Sequence, residues 1–484
     1  MDDQVKSQER PESAGGKSKL NKKRIVAVLV ILGVLGALAM PVSNLVLKPE
    51  RPALPEGKMA DVLFAKAGPI MQGKCVDCHS AHTAKPWYFA MPVAKTMIGK
   101  DVTDGVAAFD LTDALFGEAP FSQVQLAQIE YTLNAKTMPP MRYLAMHWDA
   151  KVGAGDEGDL RAWIKDVRTK RFASPNVAPE FAGEPVQPLP LTVDVDERKV
   201  ALGDKLFHDT RLSSDDTLSC ASCHGLDKGG TDQAQFATGV NDQLGPINSP
   251  TVYNSSYNHV QFWDGRAADL FEQADGPVTN PIEMASNWEQ VIGKIKDDPY
   301  YQEAFAQLYD DGMNEKTIRQ AIATFEETLI TPNSAFDKYL MGDKQAISEQ
   351  QRRGYATFVT TGCTSCHMGP ALGGQDYQKM GKRGDYFAAR GTDVLEADLG
   401  RFNVTEKDED KHFFKVPILR NIEVTYPYFH DGTAEELSDA IDKMALYQLD
   451  VQLTEPEIAD MEAFLLALTG EYKGVPLTEI EPAG

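Results

Sequence analysis

Six cysteines occur in the chain, and all six fall in three Cys-x-x-Cys-His units, "CVDCH" from Cys75, "CASCH" from Cys220 and "CTSCH" from Cys363. That spelling is the attachment signal for haem c: two thiols, Cys75 and Cys78, Cys220 and Cys223, or Cys363 and Cys366, form thioethers to the porphyrin, and the following histidine ligates iron. A redox dithiol or half a zinc site fits less well, because no cysteine pair is left over to complete a tetrahedron. The reading is three covalently bound haems c, with His79, His224 and His367 as proximal ligands. The sixth ligand then decides each iron's work. A methionine closes the iron and suits electron transfer, whereas an open face allows ligand chemistry. For the first haem, "KTMPPMRYLAMHWD" (136–149) offers Met138, stiffened by two prolines, with Met141, Met146 and His147 as alternatives.

These units need helices to hold them, and the sequence supplies one set per unit. The motifs begin 145 and 143 residues apart, the spacing of one haem domain each in a chain of 484 residues. "DERKVALGDKLFHDTRLSSDDTLSCASCHG" reads as an apolar-periodic helix, a turn and the haem site, and "EQQRRGYATFVTTGCTSCH" echoes it. The fold expected is mainly α: three cytochrome c-type haem domains, two of them a duplicated pair, behind one N-terminal transmembrane helix. The division is a basic tail over 1–24, an anchor over 25–47, a first haem domain over 48–172, a proline-rich linker over 173–190, and haem domains over 191–340 and 341–484.

From Ile25 to Leu47 run 23 uncharged residues, long enough to cross about 30 Å of hydrocarbon. Lys22, Lys23 and Arg24 before them keep the leader cytoplasmic and send the body to the periplasm. The competing reading is a signal peptide cut after Ala37-Leu38-Ala39, which exports the body equally. Net charge is −23, while residues 1–24 hold seven basic and four acidic side chains, so the acidity lies in the body. Such a body repels phosphate, which excludes nucleic acid as a partner.

Between the second and third haem sites stand "NSPT", "FWDGRA", "QA-x-GP" and "NP-x-EM", followed by "KVPILRN" and "PYFHDG". Through these motifs residues 190–470 resemble the bacterial di-haem cytochrome c peroxidases, and the extra haem domain behind an anchor resembles their trihaem branch, which includes quinol peroxidases. The resemblance implies that Gln273 and Glu283 face the open side of the second, peroxidatic haem, and that Trp263 relays electrons between the two conserved haems. It implies Met444 as distal ligand of the third, electron-transferring haem. It also implies one calcium ion at Asn248, Thr425 and Pro427, the last two through their carbonyls. Chemistry agrees for the first pair: a carboxylate can carry a proton between the two peroxide oxygens, and a neutral amide can orient them.

One departure matters. Many relatives carry a histidine in the loop after the second haem site, where it blocks that iron until another haem is reduced. Here the loop is "QFATGVNDQLGP" (235–246), and Val240 stands at that position. Valine ligates nothing, and His259 nearby reads as a packed or surface residue. The second haem is therefore expected to be five-coordinate, or to hold only water, without reductive activation. His208 and His430 read as structural, His82 and His412 as surface residues, and 405–411 as a solvated acidic loop.

The function expected is reduction of hydrogen peroxide to water on the periplasmic side of a bacterial inner membrane, by a single-pass protein fed by membrane quinol or a soluble cytochrome. The alternatives are an electron carrier without peroxide chemistry, or a related enzyme that oxidises protein side chains. The latter would use a tyrosine such as Tyr447 in place of Met444.

Overall fold

The structure is a computed structural model that describes residues 22–481; the leader up to residue 21 lies outside them. The architecture is mainly helical. Helix α1 (Lys22–Val46) opens on Lys22, Lys23 and Arg24 and is apolar all round from Ile25, with Val26, Leu29, Leu32 and Leu35 exposed and Pro41 and Asn44, in its last turns, buried. From Ile25 to Val46 the helix is long and apolar enough to cross a membrane, which a signal sequence would also be.

The first unit is built from α2 (Phe64–Lys74), which runs into Cys75, with α3 (Pro92–Ala108), α4 (Gln123–Ala135) and α5 (Ala154–Arg171). A capping box between Ser122 and Gln125 starts α4, and Lys136 in the left-handed region ends it. Phe64, Phe121 and Trp163 meet at ring separations of 4.7 to 6.4 Å, joining the start of α2 to α5. Burying each such side chain contributes about 1.5–3 kcal/mol.

In the second unit α6 (Glu197–Phe207) packs on α7 (Glu315–Glu327), with Leu202 and Leu206 against Ile318, Ala321 and Ile322. Gly203 lets the two backbones touch, since a Cβ there would run into the carbonyl oxygen of Ala321. The third unit repeats the device. Helix α8 (Glu349–Thr361) crosses α10 (Glu455–Leu466) at Gly354, where a Cβ would meet the carbonyl oxygen of Asp460, and Phe336, Phe358 and Phe464 fill the core around them. Between these helices α9 (Leu437–Met444) carries Met444 at its end.

Boundaries in space differ from boundaries in sequence. Phe336 and Leu340 join the third core, and Tyr472, Leu477 and Ile480 reach back to the second. The proline-rich stretch runs through successive turns up to Glu184, and it is held: Gln187 is buried, the Gly369 N–H donates to the Pro185 carbonyl at 2.8 Å, and Arg420 donates to the Gln187 carbonyl at 3.1 Å. Prolines fix the chain's direction, and the backbone oxygens they leave unpaired find partners in the third unit. Strands β1 (Tyr377–Lys379) and β2 (Phe413–Lys415) form an antiparallel ribbon with Gln378 opposite Phe414.

Candidate active site

The three Cys-x-x-Cys-His segments adopt one turn three times. The backbone N–H of His79, His224 and His367 donates to the carbonyl of the first cysteine of its unit at 3.0, 3.0 and 2.9 Å. Each imidazole is turned by its Nδ1. That of His79 lies 2.9 Å from the carbonyl oxygens of Gly105 and Phe109, that of His224 3.2 Å from Gly230, and that of His367 3.1 Å from Leu372. A carbonyl only accepts, so Nδ1 bears the proton and Nε2 keeps the lone pair a metal needs. All six thiols are free and half-buried, and burial pushes Cys75 up to about 12 and Cys78, Cys223 and Cys363 up to about 11. Such thiols are poor redox nucleophiles at neutral pH. The donor set of each turn is that of haem c.

Around the second turn, Asn280 Nδ2 donates to Glu283 Oε1 at 2.6 Å, which fixes the carboxyl and leaves Oε2 free. Burial raises the Glu283 carboxyl above its ordinary range, opposed by the Asn280 hydrogen bond and by the charge of Arg266, and Glu283 lies close enough to Cys223 to raise that thiol in turn. The loop carrying Val240 is bound directly to this segment: the Val240 N–H donates to the Glu283 carbonyl at 2.8 Å, and Gln243 Nε2 donates to the Pro281 carbonyl at 3.1 Å. Val240 itself is buried. Gln273 is half-buried and ends a short helix, Leu270–Gln273, capped by Asp269. His259 stays exposed, its Nδ1 2.8 Å from the Gly374 carbonyl, as the sequence reading holds.

The third turn opens on a cavity of about 260 Å³ whose lining includes Cys363, Cys366, His367, Met444 and Trp263. His367 and Met444 thus share one chamber, while Tyr447 lies outside its lining, packed edge-on against Tyr386 at 5.8 Å. Trp263 Nε1 donates to the Asn248 carbonyl at 2.9 Å, and its ring meets Phe414 edge-on at 6.4 Å. Lys415 also lines the cavity. It is buried without an ion pair among the described residues, and burial lowers its ammonium to about 8. A lone buried cation beside this chamber suits the carboxylates that a haem brings. Asn248, Thr425 and Pro427 line the same cavity, and neither Asn248 Oδ1 nor the Thr425 and Pro427 carbonyls accept a hydrogen bond among the described residues. Three free oxygens are a partial set for calcium, which takes six to eight.

In the first unit Met138 is 45% exposed, ahead of Pro139 and Pro140, and Met141 is more exposed still. His147 has both ring nitrogens engaged, Nδ1 3.2 Å from the Tyr143 carbonyl and Nε2 3.3 Å from Tyr88 Oη. Helix α4 delivers this unit to the third one: the Tyr131 ring covers Gly362, and Gln128 donates to the Ser365 carbonyl at 3.4 Å.

Sequence reasoning missed four groups. Asn280, Arg266 and Lys415 stand inside the quoted motifs "NP-x-EM", "FWDGRA" and "KVPILRN", which flagged their neighbourhood without their tasks. Glu326 gave no signal. It is buried near Cys220 with Oε2 unpartnered among the described residues, and burial raises it to about 8. His412, read as a surface residue, is half-buried, tilted against Phe387 at 4.4 Å with Nδ1 2.8 Å from the Asp398 carbonyl, because β2 draws it inward.

A helical chain with haem c turns and a half-buried, pinned carboxyl beside one of them is a c-type haem protein built for more than carriage. The signature of the di-haem cytochrome c peroxidases matches residues 197–345, and that of a haem-binding domain matches residues 48–166. A cytochrome c peroxidase of Escherichia coli is 43% identical over 409 residues, covering 84% of this chain and 87% of its own. The cytochrome c551 peroxidase of Nitrosomonas europaea is 45% identical over 64% of this chain and 91% of its own. Among solved structures, a MauG-like protein associated with microbial copper homeostasis superposes with a TM-score of 0.52 at 26% identity, covering 61% of this chain and 95% of its own. The chain belongs to the di-haem cytochrome c peroxidase family.

Proposed function

We propose that the chain is a trihaem peroxidase, anchored in a bacterial inner membrane, that reduces hydrogen peroxide to water in the periplasm with electrons from a membrane quinol. Two electrons and two protons convert one peroxide into two waters. Bound haem supplies the electrons and the metal at which the oxygen–oxygen bond breaks. Glu283 Oε2, left free by the Asn280 bond to Oε1, takes the proton from one peroxide oxygen and returns it to the other. Burial raises its pKa while the Asn280 bond holds it in place, which suits a carboxyl that takes up a proton and gives it back. Gln273 orients the peroxide without holding a proton of its own.

The observation that carries this reading is the fixed carboxyl of Glu283 beside the second turn, with valine rather than a ligating side chain in the adjoining loop. Electrons pass from the first unit to the third across the Tyr131–Gly362 contact, and from the third to the second past Trp263. On this reading Met138 and Met444 close the first and third irons, and Asn248, Thr425 and Pro427 hold calcium. A steady-state assay with peroxide, comparing a quinol with a reduced cytochrome, tests the whole. Turnover with neither donor removes the peroxidase reading, and turnover with the cytochrome alone removes the quinol.

A further inference from the structure

Where the donor docks is not given by any of the motifs above, but the joint between α1 and the first haem unit is built in a particular way. Asn44, buried at the end of an otherwise lipid-facing helix, donates from Nδ2 to Tyr88 Oη at 3.1 Å and to the Met146 carbonyl at 2.8 Å. Trp87 Nε1 donates to Ser43 Oγ at 3.0 Å, and Lys48 pairs with Asp149 at 2.7 Å. The last turns of α1 are thus fastened to the segments around residues 88 and 147. From there contacts run inward without a gap. Tyr88 Oη faces His147 Nε2 at 3.3 Å, and the His147 ring stacks on Tyr143 at 4.0 Å. Tyr143 Oη donates to Asp77 Oδ2 at 2.8 Å, and Asp77 stands between Cys75 and Cys78 on the haem turn.

The same joint leaves large apolar side chains uncovered: Trp87 is 52% and Trp148 48% exposed, Met91 and Met97 are exposed soon after Trp87 in sequence, and no side chain of α3 is fully buried. Tryptophans at the mouth of a spanning helix belong at the level of the lipid headgroups. An apolar ring that arrives from the bilayer finds these side chains first.

We infer that a membrane quinol binds at this joint, its ring against Trp87 and one hydroxyl donating to His147 Nε2 in place of Tyr88. The inference rests on the proposed quinol-fed peroxidase and adds the site. His147 suits the task because its Nδ1 faces a carbonyl and so carries the proton, leaving Nε2 an acceptor. The quinol leaves as quinone. Its two electrons pass singly to the haem on the Cys75–His79 turn and onward, matching the two that one peroxide consumes, and its two protons go to periplasmic water.

The test uses the full haem-loaded chain in lipid nanodiscs without oxygen, following haem reduction by a short-tailed ubiquinol analogue and, separately, by ascorbate. In His147→Leu and Trp87→Ala the ratio of the quinol rate to the ascorbate rate is expected to fall at least tenfold, with a smaller fall in Tyr88→Phe. An azidoquinone photolabel on the unsubstituted chain, which depends on no variant's folding, is expected on residues 84–97 or 141–150. Unaltered ratios, or a label elsewhere while the unsubstituted chain oxidises the quinol, overturn the site and leave the donor standing. A chain that accepts electrons only from a reduced cytochrome overturns both. Loss of the first haem's low-spin spectrum in His147→Leu would make His147 an iron ligand and overturn the assignment too.

Discussion

The second and third haem units are one plan carried out twice with opposite ends. In each, a helix ahead of the Cys-x-x-Cys-His turn is pressed onto a partner through a glycine, Gly203 against α7 and Gly354 against α10. In each, the histidine Nδ1 faces a backbone carbonyl. They part in the side chains gathered near that turn. The third unit brings a thioether, Met444, into the chamber of His367, with a buried cation, Lys415, in its wall. The second brings a half-buried carboxyl, Glu283, and a valine loop tied to its backbone by a hydrogen bond. A shared scaffold therefore presents the same turn twice, and what differs is the few side chains gathered around it.

That contrast can be broken at several points. The largest effect is expected from Glu283→Gln, which keeps the shape of the side chain and the Asn280 contact but removes the proton carrier. Peroxide turnover should fall by about two to four powers of ten with the haem spectra intact, and undiminished turnover would end the catalytic reading. Next is Val240→His, which would give the second unit a ligand of its own. Electron paramagnetic resonance of the oxidised protein should then lose its high-spin signal, and turnover should drop at least about tenfold unless the protein is first reduced, equivalent to about 1.4 kcal/mol. An oxidised unsubstituted protein with three low-spin irons would refute the open second site directly.

Gly203→Val and Gly354→Val probe the shared part. Each pushes a side chain into a partner helix's backbone, and each should cost about 1–3 kcal/mol in urea unfolding. A loss in only one would show that the two crossings are not equivalent. The smallest expected effect concerns Glu326. Its pKa in the folded chain, about 8, lies above that of an unfolded glutamate, so folding holds a proton the unfolded chain releases. Its contribution to stability is complete below about pH 4.5 and is lost as pH rises towards 8. Glu326→Gln should flatten the fall of melting temperature over that interval, and an unchanged slope would place the proton elsewhere.

Reading the sequence reached the three haem turns, the helix ahead of each conserved one and the peroxidase motifs, because those features are local: a turn of five residues, an apolar repeat, a run of consecutive side chains. It did not reach Lys415 or Glu326 as buried groups. A lysine on a three-residue strand and a glutamate near the end of an amphipathic helix look solvated until the elements covering them are in place. It also placed a boundary at residue 340, where the chain has already entered the third core with Phe336.

By itself, then, the sequence determined where the Cys-x-x-Cys-His turns fall, that the chain is mainly helical, and that one segment is apolar enough to cross a bilayer, since each follows from spacing within a few turns of chain. Tertiary structure alone decided that Met444 rather than Tyr447 shares the chamber of His367, that Asn280 holds the Glu283 carboxyl, and that Asn44 ties the apolar helix to Tyr88. The first and last of these pairs lie 77 and 44 residues apart in the chain. Only the packing of cores between them fixes such distances, and a pattern of residue types carries no measure of that packing.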